Sequence, residues 1–444
     1  VSFNGLSELV IIDFNLANLG CFMSQETGDR RVIVQKYGGT SVGSIEKIQA
    51  IAARVKELQV KNQQNVALVV SAMAGETNRL VGLVEGVNNA ASKSHYDMAL
   101  AAGEQVSAAL MAAALERVGL KARAFLGYQL GILTDASHAR ARIHSIDTSG
   151  LKRCFESDTI PVIAGFQGVS PSGDITTLGR GGSDTSAVAL AVALKADYCE
   201  INTDVAGVFT ADPRIVPNAR LINELDCEVA LEMASLGSKV LHSRCVELAA
   251  KYKMPLVVRD SFNSELSERT YIVSQNEQKQ LEAPVVSAVT VDRNVARVSI
   301  DNLPVAGQVF SDLFRAIAKA GINVDIIIHD RSKIQDEAGV KVGFTIELND
   351  LDRALDFLSS YTQSMHPPVK IETQTGLAKI SVVGLGMRSH PGVAADCFEL
   401  LETAGIHIAM VSTSEIKISC VIADDRIEEA AKVLHEGFIE KIKA

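Results

Sequence analysis

No two cysteines in this chain form a C-x-x-C pair, although there are seven of them. Cys21, Cys154, Cys199, Cys227, Cys245, Cys397 and Cys420 are scattered, which offers no zinc-ligand spacing. An odd, dispersed set in a large chain suggests reduced thiols in a cytoplasm, buried as small apolar side chains. Positive charge is also short. The formal net charge is -10, which disfavours non-specific attraction to nucleic acid or to an anionic membrane. No apolar run approaches the length of a membrane span. The P-loop pattern G-x-x-x-x-G-K-[ST] does not occur. An anionic ligand must therefore be held by local donors rather than by the overall field.

What is present is ordinary globular composition. The chain has 444 residues, 47% hydrophobic and 22% charged, enough for two to four domains with a large core. Residues 1–30 read as a leader foreign to the fold. Leu9 to Ile12 is too short for a signal core, no basic residue precedes it, and the first Met is Met23. The folded protein is expected to start near Arg31.

The organising stretch runs from Val32 to Gly43. An apolar run ends in Lys36, then Gly38-Gly39 and Thr40-Ser41 follow. Ile45, Ile48, Ile51, Ala52, Val55 and Leu58 then recur at helix spacing. Strand, glycine turn and helix aim unpaired N–H groups and a helix dipole at one spot, which suits an anion. A plain tight turn would use the same glycines. Val66 to Met73 reads as a strand covered on both faces. Ser71, Thr77 and Asn78 follow it, on the rim where open parallel sheets hold ligands. Residues 97–118 form an alanine-rich helix in which Glu104 is a dipole partner or a ligand for an ammonium group.

A second glycine-rich loop, Gly179-Arg180-Gly181-Gly182-Ser183-Asp184, opens onto a helix expected from about Thr185 to Ala193. Ser183 or Asp184 could simply cap that helix. An Arg inside a glycine nest also makes an anion seat. Two such seats in one domain suggest two anionic ligands meeting head to head. Residues 196–205 read as a strand ending in Thr203-Asp204. Phe209-Thr210-Ala211-Asp212-Pro213-Arg214 reads as a rigid loop. Residues 226–251 read as helical segments broken at 235–239, with Lys239 opening the later one. A lysine at a helix start is disfavoured by the dipole unless an anion lies nearby. Met254 to Val258 adds a strand.

Taken in order, Lys36 to Ser41, Val70 to Met73, Gly179 to Asp184, Thr203-Asp204 and Phe209 to Arg214 resemble the signature segments of aspartate kinases. The resemblance covers nearly all of residues 31–444. It implies an α/β architecture: an amino-acid kinase fold, a mostly parallel sheet sandwiched by helices, then two ferredoxin-like βαββαβ ACT domains. It implies transfer of the ATP γ-phosphoryl group to the β-carboxylate of L-aspartate, with Mg²⁺ arriving on ATP. Lys36, Asp184 and Lys239 would be catalytic. ATP would be held by Lys36, Gly38, Gly39, Thr203, Asp204, Phe209, Thr210, Ala211, Asp212, Pro213, Arg214 and Lys239. Aspartate would be held by Thr40, Ser41, Ser71, Thr77, Glu104, Arg180, Gly181, Gly182, Ser183 and Asp184. No protein metal ligand is named. The chain departs from the family at Ala101-Ala102, where Ser-Thr is frequent, at Asn202, where Tyr is frequent, and at Arg269, where Gly is frequent.

The expected domains are 31–262 for catalysis, a polar linker at 263–284, and ACT domains at 285–372 and 373–444, the first lending its leading strand to the second. An internal repeat supports the last two. Ala320-Gly321-Ile322 resembles Ala404-Gly405-Ile406, and each copy reads strand, helix, strand, strand, helix. In aspartate kinases such repeats bind end-product amino acids, lysine or threonine, at a subunit interface. Asn323, Asp325, Ser389 and Ser412 would then lie near effector pockets in a homo-oligomer joined through ACT domains.

Overall fold

The computed structural model describes residues 30–62, 64–238, 240–263, 268–274, 285–304, 309–330, 340–363, 365, 368–387, 390 and 392–441. Expectations on Lys239, Ser389, the leader up to residue 29 and most of the 263–284 linker lie outside these residues. By contacts the chain divides into two units. One takes residues up to 206 with 247–273, and the other takes 207–246 with 274–444. Residues 207–246, expected with the catalytic domain, thus group with the C-terminal half.

The strands of the first unit are β1 (Val32–Tyr37), β2 (Asn65–Val70), β3 (Lys121–Phe125), β4 (Leu133–Thr134), β5 (Ile143–Ser145), β6 (Thr159–Ala164), β7 (Gln167–Val169), β8 (Ile175–Thr177) and β9 (Tyr198–Thr203). The short β10 (Glu224–Asp226) belongs to the second unit, and β11 (Leu256–Asp260) and β12 (Thr270–Val273) return to the first. The large sheet runs β12-β11-β9-β1-β2-β6-β3 through this unit. All its neighbours pair in parallel except β11 and β12. Parallel strands are covered on both faces, which is why β2 and β6 are buried almost end to end.

Helices α1 (Ile45–Asn62), α2 (Glu76–Val87), α3 (Lys93–Arg117), α4 (Ser149–Glu156) and α5 (Gly182–Leu194) connect these strands. The apolar stripe of α1 and the alanine face of α3 share one core with Tyr37, Leu68, Val70 and Val162. Side chains alternate along a strand, so Lys36 leaves from the opposite face to Tyr37, toward α5. That helix is apolar on every side and buried accordingly. The 25-residue α3 is the one helix among the described residues long and apolar enough to cross a membrane, against the sequence expectation of none. Half of its most apolar window is buried inside the unit, as in a core helix.

The second unit holds α6 (Cys227–Ser235), while α7 (Ser243–Tyr252) has all but its first four residues in the first. Its sheet comprises β13 (Ala288–Leu303), β14 (Val324–Asp330), β15 (Val340–Ile346), β16 (Lys370–Val383), β17 (Met410–Thr413) and β18 (Lys417–Ala423). Helices α8 (Val309–Lys319), α9 (Leu351–Thr362), α10 (Val393–Thr403) and α11 (Ile427–His435) cover it. The strand order is β14-β15-β13-β16-β18-β17. The repeats exchange strands: Ala288 to Val291 pair with Val383 to Ile380, and Lys370 to Thr373 pair with Asp301 to Val298. The first copy therefore lends its leading strand to the second, while Lys370 to Thr373 close the first copy's own part of the sheet.

Candidate active site

The ends of β1 and β2 interlock through their turns. Gly38 donates its N–H to the carbonyl of Asn202 at 3.2 Å, and Ser71 donates to the carbonyl of Tyr37 at 3.1 Å. Gly39 accepts from the N–H of Ala74 at 3.1 Å. A Cβ at Gly39 would stand 2.8 Å from the carbonyl oxygen of Ala72, so only glycine lets the two turns close. Among the described residues, the N–H groups of Gly39 and Thr40 meet no backbone acceptor.

Lys36 reaches Asp184 on the first turn of α5, Nζ to Oδ1 2.6 Å. Both side chains are nearly buried, 11% and 13% exposed. The two glycine-rich stretches thus meet at one charged pair. Asp184 is not a helix cap. The cap position is Gly181 at φ 69, with no side-chain cap bond. That left-handed residue starts the helix at Gly182, three residues before the sequence expectation. Gly182 donates to Gly179 and Thr185 to Gly181, while the N–H groups of Ser183 and Asp184 remain at the positive end of the dipole. Ser183 is buried against Gly165, where a Cβ would sit 3.0 Å from its own Cβ.

Ala72, whose carbonyl lies against Gly39, also holds a second carboxylate. Its N–H donates to Glu104 Oε1 at 3.0 Å. Glu104 is 4% exposed, and its Oε2 has no partner among the described residues. Burial pushes its carboxyl up from 4.5 to about 7, opposed by the bonds from the Ala72 and Glu104 backbone N–H groups. An ammonium group would satisfy the orphan oxygen and restore the charge.

The remaining sequence candidates are placed as follows. Ser71 is half-buried at the end of β2, and Thr77 lies on the first turn of α2. Thr40 and Arg180 are exposed. Ser41 is turned away: it is 1% exposed and its hydroxyl is bound to Ser261 Oγ at 2.6 Å. Thr203 donates its hydroxyl to Asp204 at 3.1 Å. Of the departures from the family, Asn202 serves Gly38 through its carbonyl, a role open to any residue, and its buried side-chain amide has no partner among the described residues. Ala101 is fully buried and accepts from Gln167 Nε2 at 3.2 Å.

Phe209 to Arg214 belong to the second unit. Phe209 bridges Leu221, and Asp212 binds Arg214 through its backbone N–H at 2.9 Å and its guanidinium at 2.6 Å. Lys239 lies outside the described residues, and α7 starts at Ser243. Asp325 pairs with Lys379 at 2.5 Å, and Asn323 is exposed beside it. Ser412 lies on β17, at the other end of the strand order from β14. Ile326 and Met410 nevertheless share a small apolar cluster with Leu377 and Val421.

Asp97 was not singled out in the sequence. It is 0% exposed on α3. Its carboxylate accepts from His138 Nδ1 at 2.8 Å, Ala139 N–H at 3.1 Å and Thr177 Oγ1 at 2.5 Å. The carbonyl of Ala139 lies 2.7 Å from where a Cβ on Gly179 would be. Asp97 therefore grips both strands of backbone that present the Gly179–Gly182 turn. The sequence offered one signal, an acidic residue inside an alanine-rich helix.

A sheet rim with glycine-bordered turns, a lysine and a buried carboxylate suits the binding of small anionic ligands. The family model described as the amino acid kinase family matches residues 31–260, and one described as an ACT domain matches 380–438. The aspartokinase of Geobacillus stearothermophilus is 46% identical over 92% of this chain and 97% of its own. Aspartokinase 2 of Bacillus subtilis is 45% identical over the same shares. The structure of aspartokinase III from E. coli in complex with aspartate and ADP has the same fold, with a TM-score of 0.75 at 24% identity, covering 91% of this chain and 99% of that one. The chain belongs to the amino acid kinase family and, within it, to the aspartokinases.

Proposed function

We infer that this protein is an ATP-dependent aspartate kinase, giving ADP and 4-phospho-L-aspartate, with feedback regulation through its ACT repeats. The observation that carries the reading is the buried Lys36–Asp184 pair, together with a buried Glu104 that has one oxygen unpartnered among the described residues. The β-carboxylate of aspartate has a pKa of about 4 and is ionised at neutral pH, so no general base is required. The difficulty is to bring two anions together. Alignment and charge neutralisation meet it. Lys36 and the open N–H groups at Gly39 and Thr40 face the ATP phosphates. Glu104 takes the aspartate ammonium, Arg180 to Ser183 with Ser71 and Thr77 take its carboxylates, and Asp184 orients Lys36 beside them. Thr203, Asp204, Phe209 to Arg214 and Lys239 line the nucleotide.

Among the described residues no group of three or more His, Cys, Asp or Glu could hold a metal by itself. Mg²⁺ needs no such cage, because it keeps waters and uses one or two carboxylates with substrate phosphates. Asp184 is the protein carboxylate suited to it. When bound, the ion would neutralise phosphate charge. We further propose lysine or threonine as effector near Asn323, Asp325, Ser389 and Ser412, a homo-oligomer joined through the ACT repeats, a catalytic stretch of 31–262 and a cytoplasmic setting.

The test is ADP release with a panel of acids. Turnover on L-aspartate alone supports the reading. Turnover on glutamate or carbamate, or none on any acid with lysine or threonine still bound, overturns it in favour of another amino-acid kinase or a silent sensor.

A further inference from the structure

Thr210 lies in the loop assigned to the nucleotide, yet its side chain faces the C-terminal end of the chain. Its hydroxyl lies 2.8 Å from His435 Nε2, at the last residue of α11. His435 Nδ1 lies 2.9 Å from Glu440 Oε1. Thr210 Oγ1 also accepts from the N–H of Arg220 at 2.9 Å. The chain has one consistent direction. Glu440 accepts from Nδ1–H, which leaves Nε2 to accept from the Thr210 hydroxyl. Thr, His and Glu in series resemble an activated nucleophile. Burial rules that out: His435 is 0% exposed and Thr210 9%.

The same loop is held from other sides. Val289 on β13 donates its N–H to the Thr210 carbonyl at 2.8 Å, and Thr210 donates its own to Arg220 at 2.9 Å. Ala211 and Val216 lie in one core with Ile427, Ala431 and Leu434 of α11. A loop sharing the core of an ACT repeat cannot shift unless that repeat shifts, since packed interiors transmit strain. The hydrogen-bonded series adds direction to that packing. It sets the rotamer of Thr210, and through it the backbone of 209–214.

We propose that His435 and Glu440 are positioning residues for nucleotide binding, acting through Thr210. The proposal rests on the reading of 209–214 as a nucleotide loop. It is tested on the full chain with ATP and aspartate varied separately. Glu440→Ala is the first variant, because that side chain is 32% exposed and its loss leaves the core packing intact. Thr210→Val removes the hydroxyl at constant shape. Each is expected to raise KM for ATP about tenfold, the loss of one hydrogen bond of the series, while KM for aspartate stays within about twofold. The double variant is expected to be no worse than either single one, because the residues act in series. His435→Gln, whose amide can meet Thr210, is expected to restore part of the affinity lost in His435→Ala. KM values that stay at wild type in Glu440→Ala and Thr210→Val, or that move in parallel for both substrates, overturn the proposal. Arg214→Ala separates the two ideas. If it leaves KM for ATP unchanged, the nucleotide reading of the loop falls and the proposal with it. If it raises that KM while Glu440→Ala does not, the proposal alone falls.

Discussion

Asp97 and Glu104 stand seven residues apart on α3, just under two turns, and so share a face. Both are buried carboxylates. Asp97 has its oxygens filled by three donors, two from the 138–139 turn and one from the end of β8. Glu104 has one oxygen bound to a backbone N–H and the other bound to nothing among the described residues. A satisfied buried carboxylate organises structure. A half-satisfied one costs stability and is kept where a ligand completes it. Both are carboxylates buried on one helix, and they differ in what surrounds them.

The largest expected effect lies at the third charged group, Lys36, whose partner Asp184 is itself part of the site. Lys36→Ala should lower kcat by about 10³-fold, the scale for removing one preorganised charge donor, with the circular dichroism spectrum unchanged. Near-normal turnover would remove the pair from the chemistry. Next in size, Glu104→Gln should raise KM for aspartate about 100-fold and leave KM for ATP within about twofold, as loss of a charged contact confined to one substrate does. Equal shifts in both KM values would make Glu104 a structural residue like Asp97.

Stability should move in opposite directions. Asp97→Asn sets an amide donor against the N–H and O–H donors it faces, and should cost about 1–3 kcal/mol in denaturant unfolding. Glu104→Gln keeps the acceptor for Ala72 and removes a charge that burial disfavours. Its Tm at pH 8 should rise. The sign follows from linkage. Burial lifts the Glu104 carboxyl from 4.5 to about 7, so between these values the folded protein holds a proton that the unfolded chain has released. Wild-type stability therefore falls as pH climbs through that window and levels off above it. The smallest expected effect is the difference in Tm between wild type and Glu104→Gln below pH 4.5, which should vanish. A gap that persists there would assign the gain to packing.

Much of this site was legible because it is local. A strand, a glycine turn and a helix within residues 32–62 show the anion seat without any long-range contact. The 179–184 loop was visible for the same reason, although Asp184 read equally well as a cap. Gly181 at φ 69 decided that question by taking the cap position itself. The supporting residues were not legible. Asp97 meets Thr177 80 residues on, and Thr210 meets His435 225 residues on. No periodicity or motif spans such distances. Ser41 shows the converse. It sits inside a signature segment, yet the fold turns its hydroxyl to Ser261. The grouping of 207–246 with the C-terminal half was hidden too, because Ala211 and Val216 look like loop residues until the ACT core surrounds them.

The central claim is that Glu104, its carboxyl raised by burial, ionises fully only against the ammonium of aspartate. Calorimetric titration of aspartate at pH 6, in buffers of different ionisation enthalpy, measures protons exchanged on binding. The account predicts release of close to one proton per site, absent in Glu104→Gln, as the carboxyl ionises against the ammonium. Binding with no proton release in the wild type, or with equal release in the variant, would contradict it.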